Sequence, residues 1–342
     1  MAAERYDQAF FLSLAARGRD AWNAWRCDPA NRAVGVTFAG VDFSHAPGDA
    51  VDFSGFQFGD GADFSGCTWR GHKKDNPAPF SRGSACFSGA GFGDFATFAG
   101  AAFGTFADFA DATFGDNVSF IGCIFGQGAN FSRANFGHQA SFEQATFGST
   151  ALFVRATFGR HANFARVTFE DYAKFIDAAF GDKAAFKRAV FGEGTEFYGA
   201  VFADHADFGI AHFKGSVSFT APAQIMLPGD RTDSPENEAE SGEALSPQRE
   251  EVSGPRRFLN ISFANARFDG LADFSGRSFE GTADFSRARL SRRLNFDAAI
   301  DPARIDVTGA HIGFAQPGSL LHWVRTTLSG LTSAFLKKSA KR

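Results

Sequence analysis

The sequence predicts an all-β solenoid, a chain wound into successive coils of short parallel strands, and three observations predict it. Phenylalanine occurs 45 times, against three Tyr, four Trp and two Met. From Phe98 to Phe219 a Phe recurs with gaps that alternate between five and six residues. A small residue stands two places before each Phe, as at Ala140, Ala145, Ala151 and Ala156, and a glycine often follows the second Phe of a unit, as at Gly137, Gly148 and Gly159.

The skew toward one aromatic implies one structural role copied many times. Phe carries no polar atom, so it stacks in a dry interior without needing a hydrogen-bond partner. An eleven-residue unit is also compatible with a long supercoiled helix. At about 100° per residue, however, the two Phe of a unit would lie roughly 140° apart and form no stripe. A Gly in nearly every unit further opposes a helix. A short strand fits: Ala at i−2 and Phe at i face one side, and their neighbours face outward. The residues left over turn a corner, where Gly is expected to supply left-handed angles. Four such sides make a 22-residue coil, with hydrogen bonds to the next coil about 4.8 Å away. The core then contains Phe131, Phe136, Phe142, Phe147, Phe153, Phe158, Phe164, Phe169, Phe175, Phe180, Phe186 and Phe191.

These modules resemble the pentapeptide-repeat family, whose unit is A-[DN]-[LF]-x-x. Ala62-Asp63-Phe64, Ala107-Asp108-Phe109, Ala129-Asn130-Phe131, Ala162-Asn163-Phe164, Ala206-Asp207-Phe208, Ala272-Asp273-Phe274 and Ala283-Asp284-Phe285 carry the resemblance, which covers about three quarters of the chain. It implies a right-handed quadrilateral β-helix with short helical caps at both ends. The sixth residue in every second module departs from the family unit and implies two longer corners per coil.

The organisation expected along the chain has five parts. Residues 1–36 are N-terminal capping helices, in which Trp22 and Trp25 cover the first coil, because an open solenoid end exposes Phe and unpaired strand edges. The Trp22-Asn23-x-Trp25-Arg26 pattern resembles a leader that precedes repeats in this family. Residues 37–220 form the β-helix, with a protruding loop at 70–84. Residues 221–256, rich in Pro, Glu, Ser and Gly and lacking Phe, are a disordered insertion, after which the β-helix continues through 257–316. Residues 317–342 form an amphipathic helix with Leu321, Val324 and Leu328 on its apolar face and Lys337, Lys338, Lys341 and Arg342 at its end. Three roles compete for it: capping the last coil, pairing two copies as a homodimer, and contacting a membrane surface.

Chemistry finds little foothold. Interior positions are uniformly Ala and Phe, so no catalytic pocket, cofactor or metal site is expected. His161 and His205 share a position within their modules, but Lys183 stands between them, and a solvated column is the reading. The four cysteines (Cys27, Cys67, Cys86, Cys123) are too far apart for a zinc or disulfide framework. With Glu4 and Asp7 before it and the charged RGRD after it, the apolar stretch 9–16 reads as a helix of a cytoplasmic protein rather than a secretion signal.

The net charge of −4 opposes direct nucleic-acid binding. The function expected is therefore a non-catalytic scaffold that binds another protein, with Asp171, Asp182, Glu193 and Asp204 as its partner surface. The family resemblance implies an alternative, a DNA mimic that modulates a type II topoisomerase. Twelve acidic side chains diluted by nine basic ones between Phe98 and Phe219 give that reading little room. A membrane-associated protein held by its C-terminal helix is the third reading.

Overall fold

The computed structural model describes residues 6–45, 52–69, 84–221, 257–291, 294–295 and 302–312. The loop, the insertion and the C-terminal helix expected at 70–84, 221–256 and 317–342 lie almost wholly outside these residues. So do Leu321, Val324 and Leu328.

The described chain is a β-solenoid. Each strand is two or three residues long and pairs in parallel with the equivalent strand of the next coil, so Thr113 meets Asn135 and Phe114 meets Phe136. The coil thus advances by 22 residues, the separation that recurs between hydrogen-bonded residues of adjacent coils. Four ladders run along the axis. The first carries Phe98, Phe120, Phe142, Phe164 and Phe186 in stacked contact. The second passes through Phe103, Phe125 and Phe147 to Phe169 and contains a nine-stranded sheet. The third holds Phe109, Phe131, Phe153, Phe175 and Phe197. The fourth holds Phe92, Phe114, Phe136, Phe158 and Phe180 and contains a seven-stranded sheet.

Two physical spacings coincide along this axis. Parallel strands lie about 4.8 Å apart, and offset aromatic rings pack at a similar separation. Phe98 and Phe120 stack at 4.6 Å with planes 2° apart, and Phe109 and Phe131 at 4.8 Å and 0°. Across the axis the rings meet edge to face: Phe98 lies 5.7 Å from Phe109 at 90°. All twelve Phe named for the core are buried, none more than 4 % exposed. The small residues two places earlier, all Ala except Val167, are buried with them, since little room is left beside each ring.

The five-six rhythm has its cause at the corners. Leaving the first and third ladders, the second residue after the Phe is left-handed, as at Arg133 (φ 58°), Arg155 (57°), Arg166 (57°) and Arg188 (60°). A hydrogen bond from Ala134 N–H back to the Phe131 carbonyl closes this tight turn. Leaving the second and fourth ladders, the left-handed residue comes third, as at Gln139, His161, Tyr172 and Lys183. The sixth residue is what delays it.

Glycine plays the part expected of it at some corners only, among them Gly100, Gly122 and Gly199, whose φ is positive. Gly137, Gly148 and Gly159 do not have positive φ; a Cβ on each would lie 2.7 Å from a backbone atom of the preceding coil, so they are small because two backbones meet there. At many other corners the left-handed angle falls on a larger side chain, most often a polar one, held there by the ladders on either side.

Two helices precede the first coil: α1 (Gln8–Ala16), whose N-cap Asp7 accepts a bond from the Phe10 N–H, and α2 (Arg19–Cys27). Trp22 of α2 is fully buried against Phe38, Phe56 and Phe58, and its indole N–H donates to the Gln57 carbonyl at 2.9 Å. Trp25 sits one layer further out, between Tyr6, Phe10 and Phe11.

Candidate binding surfaces

With Phe and Ala filling the inward positions, chemical variety is confined to outward side chains and corners. The four acidic residues expected to meet a partner occupy two different corners. Asp182 and Asp204 follow the fourth ladder, and Asp171 and Glu193 follow the second. Each pair spans two successive coils and makes a bond that the sequence did not suggest: a carboxylate of one coil accepts the backbone N–H of the equivalent residue in the next. Asp171 accepts from Glu193 N–H at 2.9 Å and Asp182 from Asp204 N–H at 3.3 Å, while Glu193 accepts from Ser216 N–H, one place past its own equivalent Gly215, at 3.3 Å. The same ladder begins earlier, where Asp60, Asp94 and Asp116 accept from Asp94, Asp116 and His138. His138 then stands in for a carboxylate, its Nδ1 accepting from Arg160 N–H. The sixth residue of a corner adds an N–H with no carbonyl opposite it. The acidic side chains satisfy that donor.

Other charges are balanced between coils. Arg133 forms a two-pronged pair with Asp111 at 2.7 and 2.6 Å, and its bonds hold the Asp111 carboxyl below the usual range. Arg155 faces Asp177, Arg160 faces Asp182, and Arg166 faces Glu143. Such exposed pairs contribute little stability. His161 and Lys183, both left-handed corner residues, stand in one column with His205.

Cys67 and Cys123 take inward places that Ala holds in neighbouring coils. Their thiols donate to the Phe38 and Phe98 carbonyls, and burial pushes both up to about 12, which leaves them protonated and unreactive at neutral pH. Among the described residues, no cluster of His, Cys, Asp and Glu is arranged to hold a metal ion. Likewise, among the described residues no helix is long and apolar enough to cross a membrane.

One surface departs from this balance. On the second ladder the outward residue just before the Phe is Ala102, Ile124, Thr146, Thr168 and Val190 in successive coils. It then becomes His212, Arg267, Arg289 and His311, paired in register. With Arg287 at the adjoining corner, these side chains line an open groove of about 810 Å³. Asp269 accepts from Arg267 Nε at 2.7 Å and lies 2.7 Å from His212 Nε2. Partial burial raises that carboxyl, yet the Arg267 and His212 bonds outweigh it and hold it below the usual range. Among the described residues, neither Arg287 nor Arg289 forms an ion pair. Sequence reasoning missed this groove, although its signal was present: Arg precedes the inward residue at both 267 and 289.

The architecture defines a repeat protein of the β-solenoid class. A family model described as pentapeptide repeats, in nine copies, matches residues 131–179, and the chain carries pentapeptide repeats. No curated protein matches the chain.

Proposed function

We propose that the chain is a non-catalytic scaffold of the cell interior: a right-handed, four-sided coil, closed at both ends by helices, that binds another protein through its outward side chains. The observation that carries this reading is the division of labour along each module. Inward positions are largely committed to ring stacking, and most of the residues that differ from coil to coil face outward. At the N-terminal end, closure is supported by Trp22 lying flat on Phe38 (6.0 Å, 28°). At the other end, capping by residues 317–342 is preferred over dimerisation or membrane contact, because an open coil needs cover in every case.

The test is affinity capture from the native cell with the full chain and with variants carrying charge reversals on one outward face at a time. A partner lost with one face and kept with the others supports the scaffold. Capture of nothing specific by the intact chain ends it. Topoisomerase modulation by DNA mimicry has less support, since the acidic corner is interrupted by His138 and Arg160 and its carboxylates already accept backbone N–H groups. A supercoiling assay in which the protein neither inhibits nor protects the enzyme removes that reading.

A further inference from the structure

We infer that the groove lined by His212, Arg267, Arg287, Arg289 and His311 is the docking face for an acidic, carboxylate-rich peptide segment of a partner protein. The inference rests on the scaffold reading and names the face and the chemistry that face selects.

The first argument is the cost of the arrangement to the fold. Parallel pairing sets Arg267 directly opposite Arg289 on successive coils. Like charges placed that way are destabilising. The five preceding coils of the same ladder avoid the cost with Ala, Ile, Thr, Thr and Val. The second argument is the absence of internal compensation. Asp269 neutralises Arg267, whereas Arg287 and Arg289 are exposed and, among the described residues, have no carboxylate partner. Elsewhere Arg133, Arg155, Arg160 and Arg166 have one, while Arg188, a single arginine at its corner, has none among the described residues.

The third argument is the character of the ligand. Guanidinium groups grip carboxylates through two parallel N–H bonds. A chain of net charge −4 repels a long phosphate backbone at a distance but tolerates a short acidic segment that meets only this face. Ile210 borders the groove and is 45 % exposed, an apolar contact beside the charges. An extended segment with a few carboxylates and one apolar side chain therefore fits this face.

The experiment titrates the full-length chain into a fluorescein-labelled twelve-residue peptide of Glu, Ser and one Leu, read by anisotropy. Saturable binding that weakens roughly ten- to hundredfold in the Arg287→Ala/Arg289→Ala variant is expected, about 1.4–2.8 kcal/mol in all, since two exposed charge-assisted contacts to the peptide are lost. The Arg155→Ala/Arg160→Ala variant has the same net charge and should bind like the parent. Circular dichroism confirms that both variants fold. The assignment is overturned by no binding, by equal weakening in both variants, or by tighter binding of a single-stranded oligonucleotide of equal charge through the same arginines. A chain that captures its partner through another face, yet ignores the peptide, overturns this assignment and leaves the scaffold standing.

Discussion

The middle coils and the last coils are made from the same module and differ in what surrounds it. Between Phe98 and Phe219 the fourth-ladder rings stack at 4.6–4.9 Å with planes 2–5° apart. After the interruption, Phe202 meets Phe258 at 6.0 Å and 46°, and Phe258 meets Phe279 at 5.3 Å and 40°. The first ladder crosses the same point almost undisturbed, with Phe208 on Phe263 at 5.1 Å and 19°. The difference teaches that an insertion at one corner disturbs the ladder it interrupts and leaves the others in place. Repeat stability is then a sum of local contacts rather than a property of the whole.

The last coils carry a repair at that point. Arg277 occupies the inward place that Ala112, Ala134, Ala156, Ala178 and Ala200 hold in earlier coils, and it is only 4 % exposed. Earlier in the ladder, the carbonyl of the preceding Phe accepts from the backbone N–H three residues on, as Phe197 does from Ala200. The residue three beyond Phe219 is Pro222, which has no N–H to give. Arg277 Nε donates to the Phe219 carbonyl at 2.6 Å instead, and Nη2 reaches the Phe197 and Thr220 carbonyls at 3.3 Å. Its guanidinium lies 5.0 Å from the Phe258 ring centre, and burial lowers its pKa to about 10.

The comparison can be broken most severely in the middle. Phe142→Ala removes a ring stacked on both sides and should cost about 3–5 kcal/mol. Phe279→Ala, on the loosened ladder, should cost distinctly less. Urea unfolding of the two variants reads the gap, and equal losses would deny that stacking regularity matters. Next in size, Arg277→Ala leaves the Phe219 carbonyl without its donor and should cost about 1–3 kcal/mol. Arg277→Met, which restores volume without a donor, should recover little; full recovery would show that the arginine merely fills space. Smallest is the corner bond. Asp116→Ala strips the acceptor from His138 N–H and should cost about 1 kcal/mol. Asp116→Asn keeps an acceptor oxygen and should stay near the parent in thermal melting.

Much of this was legible in the spacing. Alternating gaps of five and six placed Phe131 through Phe191 on the axis, and Trp22 was assigned to the end of the first coil. What stayed hidden depended on a neighbouring coil. Gly159 stands where a Cβ would meet the Gly137 carbonyl carbon at 2.7 Å, and no local pattern announces an approach from 22 residues away. Asp171 and Asp182 looked like surface charge because the N–H groups they satisfy belong to the next turn. Aromatic residues outside the core follow the same logic: Tyr172 lies over Gly194, where a Cβ would come within 2.7 Å of its ring. Arg277 was visible as a break in the small-residue rule, and its reason appears only when Pro222 is set beside it.

The account's central claim is that the unit of this protein is a 22-residue coil with unequal corners, rather than an interchangeable five-residue module. Deleting residues 132–153 removes one whole coil and joins Phe131 to Val154 in phase. Deleting residues 132–136 removes a single module and sets long corners above short ones in every later coil. Thermal unfolding of the two deletions measures the claim directly. The account predicts that the first melts close to the parent and the second loses its cooperative transition. Equal melting of the two, or collapse of the 22-residue deletion alone, would contradict it.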